Sequence, residues 1–241
     1  MKACIIFTFL TLSLHAFGQF STGTRMTNNP NDQYMSYNNA YNIAAQGNVV
    51  HMVYNDQSGS TTEVSYLRSE DGGQTWSSPV ALTPDDGFFS GFPSIACWNN
   101  EVHVVYADYN SINGEIYYLH SSNGGNTWST PVHLTTTLGD SGYPSICASK
   151  QVVHLVWIDD KYGNKEILYR RSVNSGLSWG NEIRLTNNTA TSDQGSIAAS
   201  GDYVQMVFQD DRTGTMNTYH MRSSDGGSSW STETPLTNLS T

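Results

Sequence analysis

Beyond residue 40 the chain runs as short apolar stretches, rich in β-branched and aromatic residues, separated by polar turns, and no stretch carries a helical period. Four of these, at 50–54, 102–106, 153–157 and 204–208, read as β-strands. A shorter apolar stretch precedes each one, at 42–45, 94–97, 145–148 and 196–199. A third follows, centred on 64–66, 116–118, 167–169 and 218–220, and a fourth ends in Leu-Thr at 82–83, 134–135, 185–186 and 236–237. The pattern predicts a set of four strands, repeated four times.

The turn before each fourth strand carries one signature, S-x-[DN]-x-G-x-x-W. Its copies are Ser69, Asp71, Gly73 and Trp76; Ser121, Asn123, Gly125 and Trp128; Ser172, Asn174, Gly176 and Trp179; and Ser223, Asp225, Gly227 and Trp230. The tryptophans are spaced by 52, 51 and 51 residues, a period in the range of propeller blades. The expected fold is therefore an all-β β-propeller of four-stranded antiparallel blades, with repeats at approximately 41–83, 92–135, 143–186 and 194–237.

With this box at this spacing, the chain resembles the sialidase-like Asp-box family, the bacterial neuraminidase repeat, over about residues 41–237. The resemblance implies that the box forms the turn between the third and fourth strands, at the rim and away from a central pocket. It also implies that loops after the second strands and loops entering the first strands share the pocket face. The chemistry of the box agrees with a structural role. Asp71 and Asp225 can accept backbone N–H bonds, the four glycines can supply a positive φ, and each Trp can lie over its own hairpin. Asn123 and Asn174 close such a turn as well as a carboxylate does but cannot serve as acid or base.

Composition narrows the partners. Eleven Lys and Arg against 21 Asp and Glu give a net charge of -10, which repels nucleic acid and anionic membrane surfaces. Residues 1–18 combine Lys2, an apolar run over 5–14 and the small-x-small Ala16-Phe17-Gly18, and read as a cleavable signal peptide. The apolar run is about half of the roughly 20 residues a spanning helix needs, so no membrane insertion is expected and a secreted or periplasmic destination is. Cys4 leaves with the signal. Cys97 and Cys147 sit one position out of register in adjacent repeats, so they are expected on opposite sheet faces as buried free thiols, with a disulfide as the alternative.

A residue that recurs in every blade serves the blade, whereas an axial pocket is asymmetric. His51, His103 and His154 recur with Gln205 in the fourth place, which favours packing and hydrogen bonding over metal ligation, and no metal or cofactor is implied. Glu63, Glu115 and Glu166, with Asn217 fourth, read as polar residues at strand starts. Arg68, Arg171 and Arg222, with His120 second, read as solvated rim charges. Asp56, Asp108, Asp159 and Asp210 follow the second strands, either capping their turns or forming a carboxylate ring toward a ligand.

The departures from symmetry supply the ligand candidates. After the second strands come Asp108 and Tyr109 with Asn110; Asp159, Asp160, Lys161 and Tyr162; and Asp210, Asp211 and Arg212. Entering the first strands are Tyr34, Tyr37 and Tyr41, then Phe88, Phe89 and Phe92, then Tyr143. Aromatic rings beside carboxylates, amides and a cation suit a sugar, which stacks on its apolar faces and hydrogen-bonds at its edges; a wet loop surface over packed aromatics is the alternative.

Family sialidases hold the substrate carboxylate with three arginines, one in an R-I-P motif, and use a Tyr-Glu pair and an Asp. The R-I-P motif is absent here, Arg25-Met26-Thr27 matches the strand end Arg184-Leu185-Thr186, and Lys161 and Arg212 are the only pocket-face cations. No catalytic residue can be carried over. A six-bladed ring would need roughly 300 residues, so the ring is expected to be incomplete, with further sequence past Thr241 and an apolar open blade face prone to self-association. Three readings follow. They are an exported non-catalytic propeller binding glycan or another surface ligand, a sialidase-type glycoside hydrolase whose catalytic cluster is incomplete in this chain, and a structural or adhesive module.

Overall fold

The computed structural model describes residues 25–27, 31–36, 41–57, 59–109 and 113–239. The expected leader at 1–18, Cys4, Tyr37 and Asn110 lie outside them. Four antiparallel sheets follow one another, each with its first strand innermost. Blade 1 holds β1 (Gln33–Tyr34), β2 (Ile43–Gln46), β3 (Val49–Asp56), β4 (Glu63–Ser69) and β5 (Val80–Ala81). Blade 2 holds β6 (Ser90–Trp98), β7 (Glu101–Asp108), β8 (Glu115–Ser121) and β9 (Val132–His133). Blade 3 holds β10 (Ser141–Ser149), β11 (Val152–Asp159), β12 (Glu166–Ser172) and β13 (Ile183–Arg184). Blade 4 holds β14 (Ser192–Ser200), β15 (Tyr203–Asp210), β16 (Asn217–Ser223) and β17 (Thr234–Pro235).

β1 and β2 both pair with β3, so together they occupy the place that one continuous first strand fills in the other blades. Those first strands start several residues before the apolar stretch that marks them in sequence, because Ser90-Gly91, Ser141-Gly142 and Ser192-Asp193 extend the pairing to the end of the second strand. The fourth strands are only two residues long. The Leu-Thr pairs just beyond them act as clasps. Thr83, Thr135, Thr186 and Thr237 accept, through their hydroxyls, the N–H of Val64, Ile116, Ile167 and Thr218 at 2.8–2.9 Å. Glu63, Glu115 and Asn217 accept from three of those hydroxyls, which explains polar residues at the starts of third strands.

The core lies between blades, and period-two alternation supplies it. Ile146, Val153, Leu155 and Trp157 turn back onto Val105, Ala107, Ile116 and Tyr118 of blade 2. Val156, Ile158, Ile167 and Tyr169 turn forward onto Ile197, Val204, Met206 and Phe208 of blade 4. Cys97 packs with the cluster between blades 1 and 2 and Cys147 with that between blades 3 and 4. The two thiols are free and face opposite ways, and Cys97 is half-buried rather than fully enclosed.

Among the described residues, packing proceeds from blade 1 to 2, 2 to 3 and 3 to 4 without closing a ring. One contact recurs at each of these junctions. His51, His103 and His154 on second strands share a hydrogen bond between Nδ1 and the hydroxyls of Tyr66, Tyr118 and Tyr169 on third strands, at 2.7, 2.7 and 2.8 Å. Each tyrosine then reaches the box of the next blade. A Cβ added to Gly125, Gly176 or Gly227 would stand only 1.9, 1.8 or 1.9 Å from its hydroxyl. Trp128, Trp179 and Trp230 meet the same tyrosines edge-on, with ring centres 5.0–5.1 Å apart. These tryptophans therefore reach across to the preceding blade instead of lying over their own hairpins. Trp76 has no preceding blade among the described residues; its Nε1 donates to Gly73 O within its own turn, and Met26 takes the packing place on Met52, Tyr54 and Leu67.

Candidate functional site

The box turns lie at one end of the blades. Ser69 Oγ accepts the N–H of Gly73, and Asp71 Oδ1 accepts that of Thr75, each at 2.8 Å. Asn123 and Asn174 accept the equivalent N–H at 2.9 Å, so the neutral amide reproduces the carboxylate's geometry. Gly73, Gly125, Gly176 and Gly227 hold φ of 88°, 82°, 82° and 79°. Hydroxyl and backbone donors from Thr75 hold the exposed Asp71 carboxyl down at about 2, and Asp225 shifts the same way through Ser229. The box turns also bond to the turns between first and second strands, as where Gly124 N–H donates to Asn100 O.

The loops after second strands and those entering first strands meet at the other end. Asp108, Asp159 and Asp210 are buried, and Ser90, Ser141 and Ser192 of the first strands donate to their carboxylates at 2.8–2.9 Å. Asp160 and Asp211 accept the N–H of Asp140 and Thr191 in the neighbouring loop. Lys161 pairs with Glu182, and Arg212 with Asp210 and Glu233, toward the outer strands. Burial pushes the Asp210 carboxyl up, but the Arg212 guanidinium and N–H, with Ser192 and Asn188, outweigh it and hold it at about 2. Tyr162 is exposed and lies under Arg184, 4.2 Å from its guanidinium carbon. The signal for this outward turn was in the sequence: Glu182 and Glu233 recur at the same 51-residue interval as Lys161 and Arg212.

Among the aromatic candidates, Phe92 and Tyr143 meet directly, and Tyr109 joins them through Phe89. Phe92 and Tyr143 sit in β-bulges of β6 and β10, with φ of 53° and 49°, and Gln194 sits in the matching bulge of β14 with 52°. Such backbone is costly for a bulky side chain and is retained where the surrounding structure demands it. The bulges turn Phe92 and Tyr143 toward each other, ring centres 4.5 Å apart, across adjacent innermost strands. Phe89 bridges Phe92 and Tyr109 at 5.4 and 5.6 Å. Lys165 lies 5.9 Å from the Tyr143 ring and pairs with Asp193 at 3.1 Å. Asn55 of blade 1, fully buried, accepts the N–H of Phe92. Sequence reading did not single out Lys165, Asp193, Gln194 or Asn55, since each is one polar residue among many until the bulge brings it to the row.

Comparison with solved structures identifies the architecture as a sialidase-like propeller. The chain is similar to the NanB sialidase of Streptococcus pneumoniae, with a TM-score of 0.61 and 12% identity over 90% of this chain and 54% of that one. It is also similar to the intramolecular trans-sialidase of Ruminococcus gnavus (TM-score 0.65, 12% identity, 86% of this chain and 72% of that one). The α-L-arabinanase of Penicillium chrysogenum, solved with arabinobiose, matches with a TM-score of 0.62 and 16% identity over 84% of this chain and 68% of that one. The chain thus spans about half the length of the pneumococcal enzyme. No family model and no curated protein matches the sequence. No helix of the described residues is long and apolar enough to cross a membrane.

Proposed function

We propose that this protein is an exported, non-catalytic propeller that binds glycan at the loop end of its innermost strands. The observation that carries this reading is the row Tyr109, Phe89, Phe92 and Tyr143, two members of which occupy left-handed bulges. Half-buried rings stack on the apolar faces of sugars, and Lys165, Asp193 and Gln194 at the end of the row offer donors and acceptors to hydroxyls. A non-catalytic role is supported by the cations at this end. Arg184 and Arg212 are held by the buried carboxylates of Glu166 and Asp210, which leaves no arginine cluster for a sugar carboxylate among the described residues. Export rests on the leader-like residues 1–18.

The test is a glycan array probed with the mature chain and with Phe92→Ala/Tyr143→Ala. Binding weakened at least tenfold in the variant, with its thermal midpoint little changed, is expected. Array binding indifferent to both rings would refute the reading. The competing reading, a sialidase-type hydrolase, draws on the chain's spanning about half of the pneumococcal sialidase. Release of fluorophore from a sialoside by this chain would favour it.

A further inference from the structure

The junctions between blades at the box end are not equivalent. At the junction of blades 1 and 2, Arg68 crosses to Asn126 Oδ1 at 3.0 Å and lies 3.6 Å from the Cβ position of Gly124. At the junction of blades 3 and 4, Arg171 crosses to Gly226 O. These arginines are bridges, not the solvated rim charges their position in the sequence suggested. At the junction of blades 2 and 3 the bridging residue is His120, which turns back to Glu101 within its own blade. The receiving position, glycine in the other three boxes, is Ser175, which nevertheless keeps a φ of 56°.

At this junction the groove beside His120 measures about 340 Å³, and a cavity of about 770 Å³ adjoins it over Trp98, Val173 and Ser175, against about 280 Å³ for the groove beside Arg68. Its lining departs from the repeat in a consistent direction. Trp98, 38% exposed, stands where the other blades have Gln46, Ser149 and Ser200. Val173, 60% exposed, stands where they have Glu70, Ser122 and Ser224. Asn100, Gln151, Lys150 and Glu101 add amides, an ammonium and a carboxylate to the wall. A repeat protein that loses a bridge, keeps a non-glycine residue in left-handed backbone and gains an exposed indole at one junction has built something there that its other junctions lack.

We infer that this groove is a second ligand site, on the face opposite the aromatic row, and that it takes a neutral β-linked pyranoside. The flat C–H face of such a sugar stacks on Trp98, and its equatorial hydroxyls suit the amides of Asn100 and Gln151. The volume falls in the range that ligand sites occupy, roughly 300–1,000 Å³. The inference does not depend on the aromatic row.

The experiment is binding of cellobiose, lactose and chitobiose by calorimetry, and of the corresponding polymers by affinity electrophoresis. The samples are the wild-type chain, Trp98→Ala, His120→Arg/Ser175→Gly and Phe92→Ala/Tyr143→Ala. The His120→Arg/Ser175→Gly pair places the residues of the bridged junctions here, with a thermal midpoint close to wild type and a narrowed groove as the expected outcome. At least one probe is expected to bind wild type, to lose tenfold or more in both groove variants and to keep its affinity in the aromatic-row variant. Binding of disaccharides would mark the end of a glycan as the ligand, and binding of polymers alone an internal segment. If none of the probes binds, or if binding survives both groove variants, the inference fails.

Discussion

Blades 3 and 4 are copies 51 residues apart, yet the sides they turn toward a following blade are built differently. Blade 3 presents His154, Val156, Ile158, Ile167 and Tyr169, all buried against blade 4. At the matching positions blade 4 presents Gln205, Val207, Gln209, Thr218 and His220, none of them fully buried. The pair has changed as a unit. Where His154 meets Tyr169, Gln205 Oε1 meets His220 Nε2 at 2.7 Å. The hydrogen bond survives but the reach of the tyrosine hydroxyl is gone. Blade 1 offers the converse: at Gly73 the Cβ position meets only its own Trp76, 3.8 Å away, where the later boxes receive a tyrosine. The His-Tyr pair is therefore a directional connector, useful only where a box follows it.

The largest test of this contrast is acid. Burial lowers the pKa of His51 to about 4, of His103 to about 3 and of His154 to about 4, helped by Arg68, His120 and Arg171 respectively. The folded values lie below the unfolded value near 6.5, so the unfolded chain takes up protons first. This contribution to stability is complete above pH 6.5 and is lost as pH falls toward 4. Each histidine contributes a slope of about 1.4 kcal/mol per pH unit within that window. Urea unfolding across it should show the loss, and His103→Gln, which removes one of the three shifted imidazoles and leaves an amide beside the Tyr118 hydroxyl, should flatten the slope by about a third. An unchanged slope would sink the connector reading.

Next in size is a pair of glycine substitutions. Gly73→Ala meets only a left-handed backbone, with Trp76 3.8 Å away, and is expected to cost about 1–2 kcal/mol. Gly176→Ala must also expel the Tyr118 hydroxyl, and about 3–4 kcal/mol is expected. Equal losses in denaturant midpoint would show that the tyrosine contact is incidental. The smallest effect belongs to Gln205→His/His220→Tyr. It rebuilds the connector where no box among the described residues receives it, so a change within about 0.5 kcal/mol is expected.

Much of this architecture could be read from residues alone. β-Branched and aromatic second strands, the box and its period define the blades, because they rest on local pairing and on turns closed within a few residues. What escaped reading depends on long separations. Arg68 finds Asn126 58 residues on, and the tyrosines find their glycines in the next repeat. First strands were drawn too short because Ser90-Gly91 and Ser141-Gly142 carry no apolar signal. Their bulges also break the alternation that would have shown Phe92 and Tyr143 facing each other.

The two-residue fourth strands leave the perimeter of each sheet with little exposed backbone. A long outer strand is a template on which a neighbouring chain can add its own. Here Val80–Ala81, Val132–His133, Ile183–Arg184 and Thr234–Pro235 end almost as soon as they begin, and the last carries a proline. Such a perimeter gives an incoming strand too little backbone to extend the sheet.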